Sequence, residues 1–586
     1  MGIDRCEHDR ASGSLVVCGE AEAGRISRQF QCWARQDICA SNQGFEHPAM
    51  SKHITPAQAA ALIPDGAIVS VSSSSGLGCP DLMLKAIGER FEAAGHPRDL
   101  TTLHPIAAGD MSGIKGVDYI AQKGLLKTII GGSYPSGPSA AEPPLIWQMI
   151  ASNDVAAYNI PSGVLFDMHR EAAAKRPGVI TKIGLDTFAD PNRQGCAMNA
   201  AAEARPVVRK IQFYGEEYLY FKAIAPQVAI IRATTADERG NLTYEHEGAY
   251  LGGLDQALAA HNNGGIVIAQ VKRITKDGSM RPHDVRVPGI LVDYVVVDPD
   301  QKQTTQTLYD PAISGEIFRP LETFRVPEFN IQKVIARRVA QELEAGSAVN
   351  LGFGISANVP RILLEEGLHG AVTWVIEQGA VGGVPLLDFA FGCAANADAF
   401  MPSPYQFTYF QGAGFDASLL SFLEIGRDGS VNVSKLSFRP HVTAGAGGFV
   451  DITASARKIV FSGMFNAGAK LAVEDGKVVV EKEGKLRKLV KEVEHVTFSG
   501  RRAIEQRQDI TYVTERGVMR LTPDGVELTE IAPGIDLNTG ILEQSEFPLI
   551  VSDTLKVMDG ALFVDRPIGL SLAVKPARSL AGACNG

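Results

Sequence analysis

An internal repeat restricts the possible folds of this chain more than any other feature of its sequence. A helical stretch ending at Gly66, the apolar run "AIVSV" and the turn "SSSSGLG" precede a second helical pattern that holds Pro80. The same order recurs 280 positions later, where Gly346 aligns with Gly66 and Pro360 with Pro80. A repeat of this length is far longer than a solenoid unit and predicts two related α/β domains fused in one chain. Chance similarity between two common helix–strand–turn–helix units stays an alternative.

The strand pattern predicts the fold class of both domains. Short β-branched runs such as "KTIIGG", "VAIIRATT", "VTWVIE" and "KIVFSG" alternate with helical stretches. This alternation favours open α/β domains with mostly parallel sheets. Because prolines and glycines interrupt the periodicity near the join, we expect an N-terminal domain, a linker, a C-terminal domain and a tail. Their predicted bounds are 51–315, 316–330, 331–575 and 576–586.

Capping signals predict the ends of two helices. Thr55 is a cap residue followed by proline, and Gly66 is a stop signal, so a helix is expected between them. In the second copy, "IQKVIARRVAQELEAG" predicts a helix that ends at Gly346.

The first 50 residues differ from the rest of the chain. Four of the eight cysteines lie there, among scattered arginines and without clear periodicity. We expect this stretch to lie outside the folded domain, either as a disordered extension or because translation begins at Met50. Low cysteine density and the lack of a C-x-x-C pair favour a reduced, cytoplasmic interior.

Charge and hydropathy argue against some classes of function. The net charge is -10 and the pI about 5.7, which argues against a general nucleic-acid binder but not against an anionic small ligand. No run of about 18 uncharged apolar residues occurs, so no membrane span is expected.

One carboxylate lies at a position suited to chemistry. In "AVTWVIEQGAVGGVP" an apolar strand ends at Glu377, and glycines follow at once. Ligands in α/β folds bind at the carboxyl ends of parallel strands, and glycines allow a ligand to approach closely. A role for Glu377 in a turn or a helix cap is the alternative that the local pattern leaves open.

Two further glycine clusters could hold an anion. They are "GFGISAN" at 352–358 and "TAGAGGFVDIT" at 443–453. Backbone N–H groups in such turns bind phosphates or stabilise an oxyanion. Neither cluster is a Walker loop or a dinucleotide fingerprint.

Together these motifs resemble the class I coenzyme A transferases, in the two-domain branch of acetate/acetoacetate and propionate CoA-transferases. The likeness runs from about residue 52 to residue 570. In that family a glutamate is followed by one or two small residues and glycine, then by "GG" and proline. "VIEQGAVGGVP" matches this motif, with Gln378 where serine is common. The stretches 161–195 and 234–251 also resemble this branch.

The resemblance implies a ping-pong reaction in which Glu377 is the covalent nucleophile, through a mixed anhydride and a glutamyl-CoA thioester. Backbone N–H groups near Gly447 would stabilise the oxyanion. The residues that would contact CoA are Gly354, Ile355, Ser356, Ala357, Asn358, Gly445 and Gly448. Gly76 and Gly78, their counterparts in the first domain, would shape either the acid pocket or only the fold. Since a free glutamate has a pKa of about 4.3, we expect Glu377 to be ionised at neutral pH without a general base.

The resemblance also implies the substrates. CoA would pass from a short-chain acyl-CoA to a free acid of the acetate, propionate, butyrate or acetoacetate class. No tightly bound cofactor and no metal are expected, and the chain would form a homodimer or homotetramer. An acyl-CoA hydrolase with the same glutamyl intermediate and a non-catalytic acyl-CoA-binding protein stay as alternatives.

Two other side chains near these motifs are given structural roles. His246 lies between Glu245 and Glu247, and a structural or substrate-orienting role is expected because a metal site needs more ligands. Cys393 is expected to be a buried, neutral thiol.

Overall fold

The structure is a computed structural model that describes residues 52–135, 143–436 and 442–576. The predictions for residues 1–50, and for the tail beyond residue 576, lie outside these described residues. Among the helices of the described ranges, none is long and apolar enough to cross a membrane.

In the described residues, the first half forms one sheet of eight strands and one of three. The strands are β1 (Ile68–Val71), β2 (Leu100–His104), β3 (Leu126–Gly131), β4 (Ala156–Asn159), β5 (Gly178–Thr181), β6 (Val208–Phe213), β7 (Glu216–Lys222), β8 (Val228–Asp237), β9 (Leu242–Thr243), β10 (Ile266–Thr275) and β11 (Tyr294–Val297). The larger sheet has the order β11-β10-β8-β1-β2-β3-β4, and all neighbours in this row run parallel. The short β9 pairs antiparallel with β8. Strands β5 to β7 form the smaller antiparallel sheet.

The second half contains a sheet of ten strands. They are β12 (Ala348–Leu351), β13 (Thr373–Val375), β14 (Ala380–Val381), β15 (Ala399–Phe400), β16 (Ala417–Ser421), β17 (Lys458–Ser462), β18 (Asp509–Val513), β19 (Gly517–Thr522), β20 (Gly525–Ile531) and β21 (Ile550–Val557). The order is β15-β14-β13-β12-β16-β17-β18-β19-β20-β21. The five strands from β13 to β18 in this order run parallel, and antiparallel pairs flank them on both sides.

The two sheets support the repeat and confirm the predicted α/β class. Strand β1 lies between β2 and β8, and its counterpart β12 lies between β13 and β16. In each half, therefore, the strand before the glycine turn occupies the centre of a parallel arrangement. Each half also has six helices among the described residues. They are α1 (Pro56–Ala61), α2 (Asp81–Ala94), α3 (Leu145–Ala151), α4 (Ser162–Ala173), α5 (Ala200–Glu203), α6 (Gly253–His261), α7 (Ile331–Ala340), α8 (Val359–Glu365), α9 (Ser403–Gln411), α10 (Phe449–Ser455), α11 (Gly500–Glu505) and α12 (Leu537–Gly540).

The predicted helix starts are confirmed, but both helices end earlier than predicted. Thr55 caps α1 and forms a capping box with Gln58. The helix then ends at Ala61, and Gly66 adopts its left-handed φ of 73° in the loop that follows. Helix α7 ends at Ala340, well before Gly346. Beyond it, Glu342 accepts ion pairs from Arg338 of the helix and from Lys458 and Arg520, which fixes that part of the chain outside the helix.

The two halves pack through apolar side chains and backbone contacts. Phe166 of α4 lies against Phe407 of α9, with ring centroids 5.4 Å apart. Val450 of α10 belongs to a buried cluster whose other members lie mostly in the first half. Ser133, after β3, forms an isolated β-bridge with Gly445. Since residues 52–576 belong to one compact unit, the boundaries of the domains and of the 316–330 linker stay a proposal.

Candidate active site

Glu377 lies in a tight turn at the exit of β13. Ile376 donates its N–H to the carbonyl oxygen of Ala380 at 2.9 Å, and Gly379 donates to Ile376 at 2.9 Å. These two bonds close the turn around Glu377, so its side chain leaves the sheet at the carboxyl end of a parallel strand. The side chain is half-buried.

Glu377 lines a cavity of about 240 Å³ that both halves enclose. The first half contributes mainly small polar groups, and the second half contributes an aromatic wall beside the glycine loop. The lining residues from the first half include Ser74, Ser75, Gly76, Asp110, Ser133, Thr304 and Thr305, and those from the second half include Phe353, Gln378, Asp388, Phe389, Phe391, Cys393, Gly445 and Gly447. The cavity is large enough for a small acyl group.

The backbone of Gly448 lies directly on the Glu377 carboxylate. Its N–H group donates a hydrogen bond to that carboxylate, one residue before α10 begins. A β-carbon at position 448 would lie 2.9 Å from Cδ of Glu377 and 2.6 Å from the Phe407 ring. Only glycine therefore allows this approach of the backbone to the carboxylate.

A second buried carboxylate, Asp451, follows in the first turn of α10. Its Oδ2 accepts the N–H of Gly163 at 3.0 Å, and its Oδ1 accepts Nε2 of Gln411 at 3.0 Å. Burial, with a smaller contribution from the like charge of Asp167, raises the pKa of Asp451 to about 7. Asp451 thus joins α10 to the start of α4 in the other half.

The environment of Glu377 changes the protonation expected from the sequence. Burial, followed by the like charge of Asp451, raises the pKa of Glu377 to about 7, and the hydrogen bond from Gly448 opposes the rise. The expectation of a fully ionised glutamate at neutral pH was therefore wrong, because enclosure by protein disfavours the charged form.

The amide groups before Gly448 are engaged with other partners. Gly447 donates to the carbonyl oxygen of Gly132 at 2.7 Å, and Gly445 donates to Ser434 at 3.1 Å. Ala446 donates to Oδ1 of Asn159 at 2.9 Å. Gly445 and Gly447 nevertheless lie in the cavity wall near Glu377. As an oxyanion donor, however, Gly447 would first have to release Gly132, so that role stays a prediction.

The loop predicted to contact CoA lies beside the aromatic wall. Phe353 lines the cavity, is half exposed and meets the edge of Phe391 at 5.3 Å between ring centroids. Gly354, Ile355 and Asn358 follow it and are partly accessible. The two residues between them have buried side chains, and the hydroxyl groups of Ser356 and Ser462 lie 2.6 Å apart. For Ser356 and Ala357 the predicted contacts would have to use backbone atoms.

Gln378, where the resembled family commonly has serine, connects the two halves. Its Nε2 donates to Oγ of Ser74 at 3.0 Å, and its backbone oxygen accepts the hydroxyl of Ser403 at 3.0 Å. Gly76, two residues after Ser74, lies in the cavity wall, whereas Gly78 packs under Leu251. The acid-pocket interpretation thus suits Gly76, and the fold-only interpretation suits Gly78.

The structure separates the charged trio around His246. Glu245 pairs with Arg273 at 2.8 Å and Glu247 with the buried Arg232 at 2.9 Å. His246 instead stacks on Tyr309 with ring centroids 4.1 Å apart. Within the described ranges, no group of three or more His, Cys, Asp or Glu side chains is placed to hold a metal ion.

Cys393 is buried, as expected, and burial raises the pKa of its thiol to about 12. It also lies in the cavity wall.

Apart from Gly76, sequence reasoning missed the contribution of the first half. Asp110, Ser133 and Thr305 follow different strands and share no local motif. Asp451 stood inside the quoted stretch 443–453, three residues after Gly448. An acid in the first turn of a helix beside a glycine loop is a signal that could have identified it.

Known proteins resemble this chain over most of its length. The family model described as Coenzyme A transferase matches residues 53–298. A caffeate CoA-transferase from Acetobacterium woodii is 41% identical over 527 residues, which cover 89% of this chain and 99% of that protein. The acetate CoA-transferase YdiF of Escherichia coli K12 is 38% identical, over 87% of this chain and 94% of that protein.

A solved structure shows the same architecture. The acyl-CoA transferase YdiF from E. coli O157:H7, crystallised as a thioester complex with CoA, matches with a TM-score of 0.83 and 36% identity. The match covers 90% of this chain and 99% of that chain.

Proposed function

This chain belongs to the coenzyme A transferase family, and from that premise we propose that it transfers CoA from a short-chain acyl-CoA to a free carboxylic acid through Glu377. The observation that carries the proposal is the Glu377 carboxylate in the wall of an enclosed cavity, with the amide of Gly448 bonded to it. A carboxylate in that setting can attack a thioester directly, and a backbone N–H can stabilise charge on the same group.

In the first half-reaction, an oxygen of ionised Glu377 attacks the thioester carbonyl carbon. The C–S bond breaks, CoA leaves as the thiolate and a mixed anhydride forms. The thiolate then attacks the glutamyl carbonyl carbon, the substrate acid leaves as a carboxylate, and Glu377 carries a CoA thioester. A second acid reverses these steps and leaves as the new acyl-CoA, so the thioester energy is retained and the kinetics are ping-pong.

The amide of Gly448 stabilises negative charge in the proposed reaction. Because it already bonds to the Glu377 carboxylate, it can keep a hydrogen bond to the glutamyl oxygen while that carbon becomes tetrahedral. Gly447 is retained as a second donor in the proposal, on condition that its bond to Gly132 opens. The loop 354–358 and Phe353 would then lie along the CoA side of the cavity.

The acid substrate is proposed as a member of the acetate, propionate, butyrate or acetoacetate class. The names of two relatives, an acetate and a caffeate CoA-transferase, give the range that an assay should cover. A panel of acyl-CoA donors against aliphatic acids and caffeate would rank the pairs. A homo-oligomeric assembly belongs to the same proposal and can be measured by light scattering.

Borohydride trapping tests the role of Glu377. Enzyme mixed with acyl-CoA and then borohydride should lose activity irreversibly, and peptide mass spectrometry should locate the reduced thioester at Glu377.

Glu377→Gln should lower kcat/KM by about 10³-fold or more, because an amide is a poor nucleophile. The matched control is Glu424→Gln, a buried glutamate of the same half bonded to Asn432 outside the cavity, and it should keep activity within about threefold.

Full activity in Glu377→Ala would eliminate the assignment. Turnover of acyl-CoA without any added acid, at a rate equal to that with acid, would instead identify a hydrolase that uses the same intermediate.

A further inference from the structure

The cavity beside Glu377 contains a second carboxylate that the proposed reaction does not use. Asp110 is buried, with 4% of its surface exposed. Its Oδ1 accepts the N–H of Ser112 at 2.8 Å, and its Oδ2 accepts the hydroxyl of Thr305. Both oxygens of the side chain are therefore engaged, and the carboxyl group is fixed in place. This carboxylate forms part of the wall in the first half.

The glycine turn of the first half brings the cavity close to Asp110. A β-carbon at Gly76 would collide with Oδ2 of Asp110 and with Oγ1 of Thr305. Glycine at position 76 therefore leaves the room that the Asp110 carboxylate occupies beside the backbone. Ser74 and Ser75 line the cavity wall next to it. A ligand that fills this end of the cavity would contact a carboxylate and hydroxyl groups.

The charges of the wall have one sign. Among the described residues that line the cavity, the charged side chains are Glu377, Asp110 and Asp388. Lys302 lies nearby, with its Nζ 3.4 Å from the place of a β-carbon on Gly113, but it is outside the lining. A second negative charge on an acyl group would enter this cavity next to buried like charge, where water cannot screen it.

We propose that Asp110 is a specificity-determining residue that restricts the acyl site to monocarboxylic acids with an uncharged acyl group and rejects dicarboxylic acids. This inference rests on the proposed function and names the substrate class of the same site. The negative charge of Asp110 would repel a second carboxylate on the acyl group. This repulsion discriminates between monocarboxylic and dicarboxylic acids of equal chain length.

Butyrate and succinate are the matched pair that tests it, because they share four carbons and differ in one terminal carboxylate. With one acyl-CoA donor, kcat/KM should favour butyrate over succinate by about 100-fold, and monomethyl succinate should recover most of the loss. In Asp110→Asn the butyrate-to-succinate ratio should fall by about tenfold, since the amide keeps an acceptor for Ser112 and removes the charge. The ratio is unaffected by the fraction of enzyme that is active.

Two control variants separate Asp110 from general charge effects. Asp388→Asn removes the exposed carboxylate of the same cavity, at a φ of 53° that asparagine tolerates, and should change the ratio by at most about twofold. Asp118→Asn removes a buried carboxylate outside the cavity that accepts the N–H groups of Leu145 and Ile146, and should leave the ratio unchanged.

The inference is overturned if the wild-type enzyme uses succinate as well as butyrate, if Asp110→Asn leaves the ratio unchanged, or if Asp388→Asn changes it equally. These results differ from failure of the proposed function. If Glu377→Gln is inactive and the ratio does not respond to Asp110, only the substrate-class inference fails. If Glu377→Gln stays active, the proposed nucleophile fails whatever the ratio is.

Discussion

The two halves of the molecule each place an acidic residue after the strand that neighbours the repeat strand, and both acids face one cavity. Asp110 follows β2, the neighbour of β1, and Glu377 follows β13, the neighbour of β12. Asp110 has both oxygens engaged, by backbone N–H groups and the Thr305 hydroxyl. Glu377 has one backbone donor, Gly448, and the like charge of Asp451 nearby. Two carboxylates that follow corresponding strands of the two halves therefore differ in their hydrogen-bond donors.

This difference is the physical basis on which we propose a covalent role for Glu377 and a selective role for Asp110. A carboxylate saturated by donors is stabilised as an anion and is a weaker nucleophile. A carboxylate with few donors in an enclosed site has a raised pKa and, once ionised, is less stabilised and more reactive. Three measurements test this difference: the rate after the backbone donor of Glu377 is changed, the pH profile after its charged neighbour is removed, and the stability of the fold as a function of pH.

Among the variants that keep Glu377, the largest effect is expected from Gly448→Ala. The added methyl group would lie 2.9 Å from Cδ of Glu377, so the backbone donor and the carboxylate cannot both keep their places. We expect kcat/KM to fall by about 10²–10³, as for loss of one oxyanion donor. Steady-state kinetics with a fixed acyl-CoA and acid pair measure it.

Gly370→Ala is the matched control for that variant. Position 370 has open space around a β-carbon and no left-handed backbone, so the substitution should leave kcat/KM within about twofold. Equal kcat/KM values for Gly448→Ala and the wild type would show that the contact between Gly448 and Glu377 does not contribute to catalysis.

A pH profile tests the raised pKa of Glu377. With the pKa of Glu377 near 7, kcat/KM for acyl-CoA should rise with pH through about 7, because only the ionised form attacks. Asp451→Asn keeps an oxygen acceptor for Gly163 and removes the like charge, so the rise should move to lower pH by about one unit. Asp167 also lies near Asp451, Arg170 pairs with Asp167, and both residues are left unchanged in the variant.

Glu424→Gln should not move the midpoint and serves as the control for that shift. A midpoint that is the same in the wild type and in Asp451→Asn would show that Asp451 does not raise the pKa of Glu377.

Much of the fold and one side of the site could be predicted from the sequence. The repeat, which pairs Gly66 with Gly346, predicted two mostly parallel sheets, and the apolar strand before Glu377 indicated the sheet edge at which the structure has its cavity. Both predictions rest on periodicity and glycine spacing, which can be read directly from the order of residues in the sequence. The end of α7 was missed because ion pairs around Glu342, from Arg338, Lys458 and Arg520, compete with the local stop signal.

The other side of the site could not be predicted, because it depends on contacts between distant residues. Asp110 joins Thr305 across 195 positions, and no local pattern indicates that pair. The amide of Gly447 is bonded to the carbonyl of Gly132, a partner that only the packed halves supply. The raised pKa of Glu377 likewise follows from enclosure and from Asp451, neither of which is visible in "VIEQG".

The smallest expected effect is on thermal stability, and it tests the comparison without substrate. The folded-state pKa of Glu377, about 7, lies above the ordinary value of 4.5, so the folded state binds more protons than the unfolded state between these values. Stability therefore falls as pH rises through that window, and the ionised side chain destabilises the fold fully above it.

Glu377→Gln should raise Tm by about 1–3 °C at pH 8 and by much less at pH 5. Asp110→Asn should raise Tm at neither pH, because its carboxylate is held by donors that the amide satisfies less well. Scanning calorimetry of both variants at the two pH values measures this difference. A stabilisation of Glu377→Gln that is equal at pH 5 and pH 8 would mean that the gain comes from packing and not from removal of a buried charge.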